Sequence, residues 1–179
     1  IDITLNSVEK ALKQSPRHDH RHRIKHVELL TDEQIQRIKK LDLIATCIPS
    51  SAGFSPWFQE MARVRVGPRR AKLLHRYRDL MDNGTLVVGG SDGHPIGRYL
   101  SPLQGLRDRV AIAGFTLPQA MAIETINSAV ASFEENVKGS LEEGKLADMV
   151  VLAEDPFAVD IDHIPDIRVE KTVVGGKVV

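Results

Sequence analysis

Short strand-like runs alternate with segments of helical periodicity along most of the chain. The runs lie at about residues 22–27, 42–48 and 85–91, and the last two are apolar with little polar alternation. Strands of that kind are covered on both faces, as in parallel sheets. A strand, helix, strand order favours βαβ units. We therefore predict that the three runs form adjacent parallel strands joined by right-handed crossovers.

Helix-start signals divide the rest of this part of the chain. Thr31 with Gln34 fits a capping box, and so does Thr116 with Gln119, where Pro118 suits the first turn. Between the second and third runs the chain has Gly53, Pro56, Gly67 and Pro68, which indicate a long loop. The predicted helices are residues 4–14, 32–40, 69–82, 102–112 and 117–133.

The pattern changes near Val137. Val-rich runs at residues 148–153 and 171–179 are separated by turn glycines, and Gly175-Gly176 is a two-residue hairpin signal. We predict that these two runs belong to a small sheet apart from the parallel one. The predicted division is residues 1–137 and residues 138–179.

Composition narrows the possible partners. The chain has 24 Lys+Arg against 24 Asp+Glu, so no overall field attracts nucleic acid or an anionic membrane. No apolar run approaches the roughly 20 residues needed to cross a bilayer. Cys47 is the single cysteine, which is compatible with a reducing compartment, and we expect a cytoplasmic protein. Because the first residue is Ile1, we expect either a processed chain or a piece of a longer one.

Candidate chemistry lies where the predicted strands end, since parallel βα units carry functional residues at the carboxyl ends of their strands. The three ends fall at His26, Cys47 and Asp92. An imidazole and a carboxylate converging from neighbouring strands suit a Zn²⁺-type site. The carboxylate could also take a proton from a metal-bound water, which is how hydroxide becomes available near neutral pH.

Each candidate also has a structural interpretation. His26 could be a hydrogen-bonded histidine at a strand end, and Asp92 could cap a helix or close an Asx turn. Cys47 is more typical of core packing than of a nucleophile. His94 could be a loop residue or a substrate contact. The basic run from Arg17 to His26 could bind phosphate or nucleic acid, but it lacks interleaved aromatic residues and more simply leads into a strand.

Four segments resemble the amidohydrolase superfamily, most closely the branch called amidohydrolase family 3. They are RHRIKH (21–26), VVGGSDGHP (87–95), KGSLEEGKLADMVVLAEDPF (138–157) and VEKTVVGGKVV (169–179). The resemblance implies an α/β fold: the C-terminal portion of a (β/α)8 barrel, with its last three βα units in residues 1–137. Residues 138–179 would supply strands of a small β-sandwich domain.

The resemblance also implies a function. Relatives hydrolyse C–N bonds of non-peptide amides and related small molecules with one or two divalent metal ions, here expected to be zinc. It implies that His26 is the metal-binding histidine after the sixth barrel strand. It implies that Asp92 after the eighth strand is both metal ligand and general base. His94 is then the candidate substrate-binding residue.

The sequence departs from the family pattern in ways that bear on activity. Lys25 stands where relatives usually have Glu, and Gly93-His94 precede Pro95 where relatives often read Ser-Asp-x-Pro. The His-x-His of the first strand, the metal-bridging residue and the fifth-strand histidine are absent from this sequence. We therefore expect an incomplete metal site, and a chain that is inactive without a missing N-terminal half or a homo-oligomeric partner.

Two other functional classes stay open at this point. The first is a non-catalytic α/β fragment or binding module that keeps the scaffold without the chemistry. The second is a nucleic-acid binder that uses the basic run. We expect neither a nucleic-acid nor a membrane partner.

Overall fold

The computed structural model describes residues 1–47, 56–90 and 101–179, and only the backbone of residues 56–59. Within these ranges the helices are α1 (Asp2–Gln14), α2 (Asp32–Lys40), α3 (Pro56–Ala71), α4 (Tyr77–Asp82), α5 (Pro102–Ala111), α6 (Leu117–Glu124) and α7 (Ile126–Ala131). The strands are β1 (Arg23–Lys25), β2 (Ile44–Cys47), β3 (Val87–Gly89), β4 (Met149–Leu152), β5 (Val169–Val174) and β6 (Lys177–Val178). In this part of the chain no helix is both long and apolar enough to cross a membrane.

The first three strands form one parallel sheet in the order β1-β2-β3, which confirms that they are adjacent and parallel, while the right-handed crossovers stay a prediction. Ile24 lies opposite Ala45, and Thr46 lies opposite Val88. The three strands therefore end on the same edge, which we call the carboxyl edge. Their parallel pairing brings residues that are far apart in sequence to that edge.

Both faces of the central strand β2 are buried. On one face Ala45 and Cys47 belong to a large apolar cluster to which α1, α2 and α4 contribute. On the other face Ile44 packs with Val88 and with Ala131 of α7. Burial on both faces explains the lack of polar alternation in this strand.

Both predicted capping boxes are present. The Thr31 hydroxyl accepts a hydrogen bond from the backbone N–H of Gln34, and the Gln34 side chain accepts one from the backbone N–H of Thr31. Thr116 and Gln119 make the same reciprocal pair at the start of α6. As a result, α2 has the bounds predicted from the sequence.

Two helix predictions were wrong in their bounds. The predicted long loop contains α3, which begins at Pro56, and the helix predicted at 69–82 is interrupted between α3 and α4. Gly67 has a φ of 81°, which kinks α3 immediately before Pro68. The helix predicted at 117–133 breaks at Thr125, whose φ and ψ are −119° and −97°. Gly67-Pro68 disfavours a continuous helix locally, whereas at Thr125, with no Gly or Pro beside it, tertiary packing has overridden local helical preference.

The C-terminal strands form a second sheet in the order β4-β5-β6, which confirms the separate-sheet prediction. Its pairings are antiparallel. Gly175 and Gly176 connect β5 to β6 with φ values of 55° and 78°. Two successive positive φ angles match the two-residue hairpin turn that the sequence indicates. The division at residue 137 stays a prediction.

Part of the C-terminal segment packs on helices of the first part. Ile164 and Ile167 lie in one buried cluster with Leu103 and Leu106 of α5 and Ala120 of α6. Beside this cluster the Arg107 guanidinium pairs with the Asp162 carboxylate at 2.7 Å. The small sheet is therefore tethered to the helical layer by the connection between β4 and β5.

The basic run before β1 is tied down by acidic partners. The Arg21 guanidinium donates to both carboxylate oxygens of Glu135 at 2.8 Å, and to Asp19 and the carbonyl oxygen of Val130. It also lies over the ring of Phe133, 4.1 Å from the ring centroid. Bidentate pairing of this kind fixes both orientation and position. Arg21 thus connects the entry to β1 with the segment after α7.

Acid should weaken this connection. Hydrogen bonds from Arg21 lower the pKa of Glu135 to about 2 from an ordinary value of 4.5. A carboxyl with a depressed pKa stabilises the fold above pH 4.5, and that stabilisation is lost as the pH falls towards 2. We expect Glu135→Gln to unfold more easily than wild type at pH 6, with the difference shrinking steadily below pH 4.5.

The measurement is denaturant unfolding of wild type and Glu135→Gln between pH 6 and pH 2. The control is Glu170→Gln, which removes an exposed salt bridge to Arg168. A difference between wild type and Glu135→Gln that does not change with pH would contradict the assignment. The control should show a smaller effect at pH 6, because its pair with Arg168 is more exposed.

Candidate active site

One residue of the predicted site can be placed on the carboxyl edge. His26 directly follows β1, and Cys47 and Gly89 are the last residues of β2 and β3. Asp92 and His94 lie outside the described residues, so their roles stay predictions. The edge is therefore described from the His26 side and from the ends of the other two strands.

His26 lies in a tight turn with an uncommon backbone. Its N–H donates to the carbonyl oxygen of Thr46 at 3.0 Å, which continues the ladder with β2, and the next N–H, of Val27, donates back to the carbonyl oxygen of Lys25. The φ angle is 70° at His26 and 41° at Val27. A turn closed over three residues with positive φ is rare and strained. Positive φ at a β-branched residue is an outlier.

This strained turn has a direct geometric consequence. Val27 is held in the core with 1% exposure, while the His26 ring remains 54% exposed. The turn thus buries one side chain and presents the next one, an imidazole, at the rim of the sheet. Strain of this kind persists where surrounding structure enforces it and is concentrated at functional sites.

One polar group that the sequence pattern did not single out, Glu28, lies beside His26, and it is linked to a second, His75. The Nδ1 atom of His26 lies 3.6 Å from the Oε1 atom of Glu28. The backbone N–H of His75 donates to the carbonyl oxygen of Glu28 at 2.6 Å. Burial lowers the pKa of His75, and the Glu28 carboxylate opposes that shift. Glu28 and His75 come together only through the segment between α3 and α4, so spacing along the chain does not reveal them.

Cys47 fits the packing interpretation. Its side chain is 1% exposed within the main apolar cluster. Burial raises the pKa of the thiol, against the smaller opposing effect of Arg109. A thiol in this environment stays protonated, and the thiol is a poor nucleophile compared with the thiolate. Burial likewise raises the pKa of the neighbouring Tyr77 phenol.

Arg109 is a second feature that sequence analysis did not select. It is 3% exposed, and its guanidinium pairs with the Glu124 carboxylate beside Gly89. Burial lowers the pKa of Arg109, while Glu124 opposes the shift. A signal was available, because Arg109 is three residues after Leu106 and so lies on the apolar face of α5. A charged residue at such a position is either paired or functional.

The described residues do not by themselves form a metal site. Among them, no group of three or more His, Cys, Asp and Glu side chains is arranged to hold a metal ion. His26 offers an exposed imidazole, which suits Zn²⁺ as one ligand, with Glu28 as a carboxylate neighbour. The donor chemistry at this rim therefore fits one ligand position of a divalent metal.

Comparison with known proteins shows which family the chain is similar to. The model of the amidohydrolase family matches residues 1–179. A protein of Bacillus subtilis named as amidohydrolase YtcJ is 30% identical over 194 residues, covering 100% of this chain and 35% of that protein. The N-substituted formamide deformylase of Arthrobacter pascens is 32% identical over 190 residues, covering 98% of this chain and 34% of the enzyme.

A solved structure agrees with the sequence relatives. A metal-dependent hydrolase of Pyrococcus furiosus, described as uncharacterized, superposes with a TM-score of 0.64 at 25% identity. That superposition covers 80% of this chain and 29% of the hydrolase. The chain therefore spans about a third of the length of the curated relatives it matches. With a family match along all of residues 1–179 and a barrel-type α/β arrangement in the structural neighbours, the chain belongs to the amidohydrolase family.

Proposed function

We propose that this chain is the C-terminal part of a metal-dependent hydrolase that cleaves C–N bonds of non-peptide amide-type small molecules. The observation that carries the proposal is the turn after β1, which holds His26 at the carboxyl edge with its ring exposed. Functional residues of parallel βα barrels occupy this edge. Family membership supports the hydrolytic chemistry.

The proposed roles divide between two strand ends. His26 is the metal-binding imidazole, and Glu28 is the neighbouring carboxylate that favours one ring orientation. Asp92, three residues after the end of β3, is the second metal ligand and the general base. His94 contacts the substrate. His26 and Asp92 would hold one or two zinc ions, which would supply an activated water near neutral pH.

The proton path uses the Asp92 carboxylate. It removes a proton from the attacking water and delivers that proton to the leaving nitrogen, because an amide nitrogen is a poor leaving group until it is protonated. Amide hydrolysis, deamination and ring opening could all use this sequence of events. The formamide deformylase relative supports an amide-type substrate.

The remaining ligands of the proposed site come from outside this chain, which spans about a third of the length of its relatives. The described residues give one imidazole, whereas catalytic zinc usually has three protein ligands. We propose that an N-terminal half of the longer protein supplies the others. Strands of that N-terminal half would also pair with the outer edges of β1 and β3. Each of these two strands has one partner strand among the described residues.

Metal removal tests the proposal. We expect the longer protein that carries this chain to hydrolyse an N-substituted formamide, to lose that activity on dialysis against a chelator and to regain it with Zn²⁺. The reason is that hydroxide formation near neutral pH depends on the metal. His26→Ala is the matched variant and should need more Zn²⁺ to recover.

Different results are expected if the chain is instead part of a non-catalytic binding module. A non-catalytic module would show no hydrolysis of formamide, anilide or cyclic amide probes at any Zn²⁺ concentration. Activity that survives chelation with no metal left by elemental analysis would also overturn the proposal.

A further inference from the structure

A buried guanidinium lies behind the carboxyl edge, directly against the last residue of β3. The Arg109 side chain is 3% exposed and pairs with Glu124 of α6, whose side chain is 31% exposed. A Cβ atom added to Gly89 would lie 2.6 Å from the Nη2 atom of Arg109 and 2.9 Å from the Oε1 atom of Glu124. The ion pair therefore occupies the space that a side chain at the end of β3 would need.

A second glycine makes room for the same group. A Cβ atom added to Gly105, one turn before Arg109 on α5, would lie 2.6 Å from the Nη1 atom of Arg109. The guanidinium is thus held between the strand and its own helix. The backbone of Arg109 is also held in place, because its carbonyl oxygen accepts a hydrogen bond from the N–H of Phe115.

The arrangement is costlier than core packing alone requires. Among the described residues, the Nε atom of Arg109 is buried with no hydrogen-bond partner. An apolar side chain in this position would avoid both that unpaired donor and the desolvation of a charge. A buried charge kept at such cost, beside the strand that leads to the proposed base, points to a role beyond filling space.

We propose that Arg109 is a positioning residue for the hydrolysis. Its pair with Glu124 fixes Gly89 at the end of β3, and the chain reaches Asp92 three residues later. The inference rests on the proposed function. Arg109 acts through the strand end and makes no contact with substrate in this role.

The test uses the longer protein with Arg109→Gln, Glu124→Gln and the double variant. We expect Zn²⁺ affinity, measured by competition with a chelator, to weaken roughly tenfold in each, because a shift of the β3 end would displace the proposed ligand Asp92. At saturating Zn²⁺ we expect kcat for an N-substituted formamide to fall roughly tenfold, with KM within about twofold, because misplacement affects the transition state more than binding. The double variant should lose no more than either single one, since the two side chains act as a unit.

Gly89→Ala tests the same contact from the strand side. Its Cβ atom would push the guanidinium away, so the kinetic change should resemble that of Arg109→Gln. Arg168→Gln is the matched control, because it breaks an Arg–Glu pair in which the arginine, just before β5, is 72% exposed. It should leave both Zn²⁺ affinity and kcat at wild-type values.

A purely structural role predicts another outcome. Arg109→Gln would then lower the melting temperature while the folded, zinc-loaded fraction kept wild-type kcat and Zn²⁺ affinity, and this would overturn the inference alone. If Arg109→Gln does not fold, Arg109→Lys carries the test, since it keeps the charge but not the planar fork. A wild-type protein without zinc-dependent hydrolysis would overturn the proposed function and the inference with it.

Discussion

Replacing Asp92 by Asn in the longer protein should lower kcat by at least about a hundredfold while much of the metal is retained. Asn keeps the shape of the side chain and one oxygen ligand but cannot accept the proton of the attacking water. It also cannot return that proton to the leaving nitrogen. A positioned acid–base group contributes about 10²–10⁴-fold, so this single loss dominates the rate.

Two other variants test the specificity of that expectation. His26→Ala should reduce Zn²⁺ affinity, and at saturating Zn²⁺ its kcat should fall less than that of Asp92→Asn, because water can partly replace one imidazole. Cys47→Ser should change kcat far less than either, since the thiol is buried and burial raises its pKa. Metal analysis and steady-state kinetics on the three purified variants make the comparison.

The result that would refute the assignment is equally specific. A near-normal kcat for Asp92→Asn would remove the proposed base. A folded but inactive Cys47→Ser would point to a cysteine nucleophile, against the burial of that side chain.

The chain of 179 residues on its own should show no metal-dependent hydrolysis of amide probes. The described part supplies one imidazole to the site, and its parallel sheet has three strands, which cannot close a barrel. The outer edges of β1 and β3 then expose unpaired backbone groups, which favours aggregation. We therefore expect no turnover above the background rate, even with excess Zn²⁺.

Co-expression provides the positive control for that expectation. Adding the protein segment encoded upstream, if it carries a His-x-His sequence, should restore zinc-dependent turnover and reduce aggregation, because it supplies both ligands and partner strands. Clear turnover by the isolated chain, with host enzymes excluded by an Asp92→Asn control, would show that the site is built differently from our proposal.

Local sequence determined much of the scaffold. The helix α2 and the start of α6 followed from their capping boxes, because a Thr hydroxyl and a Gln amide three residues later can satisfy the first backbone N–H groups without help from the rest of the fold. The Gly175-Gly176 turn followed for a similar reason, since glycine takes two successive positive φ angles at little cost. The parallel sheet followed from apolar runs at intervals that leave room for crossover helices.

Local sequence determined only part of the candidate site. The position of His26 could be predicted because parallel strands carry side chains for chemistry at their carboxyl ends. Its left-handed backbone could not, since a β-branched residue such as Val27 disfavours the positive φ that the turn requires of it. The turn exists because Val27 is drawn into the core while the N–H of His26 bonds to Thr46.

Tertiary structure alone decided the contacts that join distant segments. Glu28 meets His75 across a separation that contains two helices, and Arg109 meets Gly89 and Glu124 only when α5 and α6 pack on β3. The break at Thr125 is decided in the same way. Local propensities differ by a few tenths of a kcal/mol to about 1 kcal/mol per residue, whereas burying one large side chain is worth about 1.5–3 kcal/mol, so packing wins wherever the two disagree.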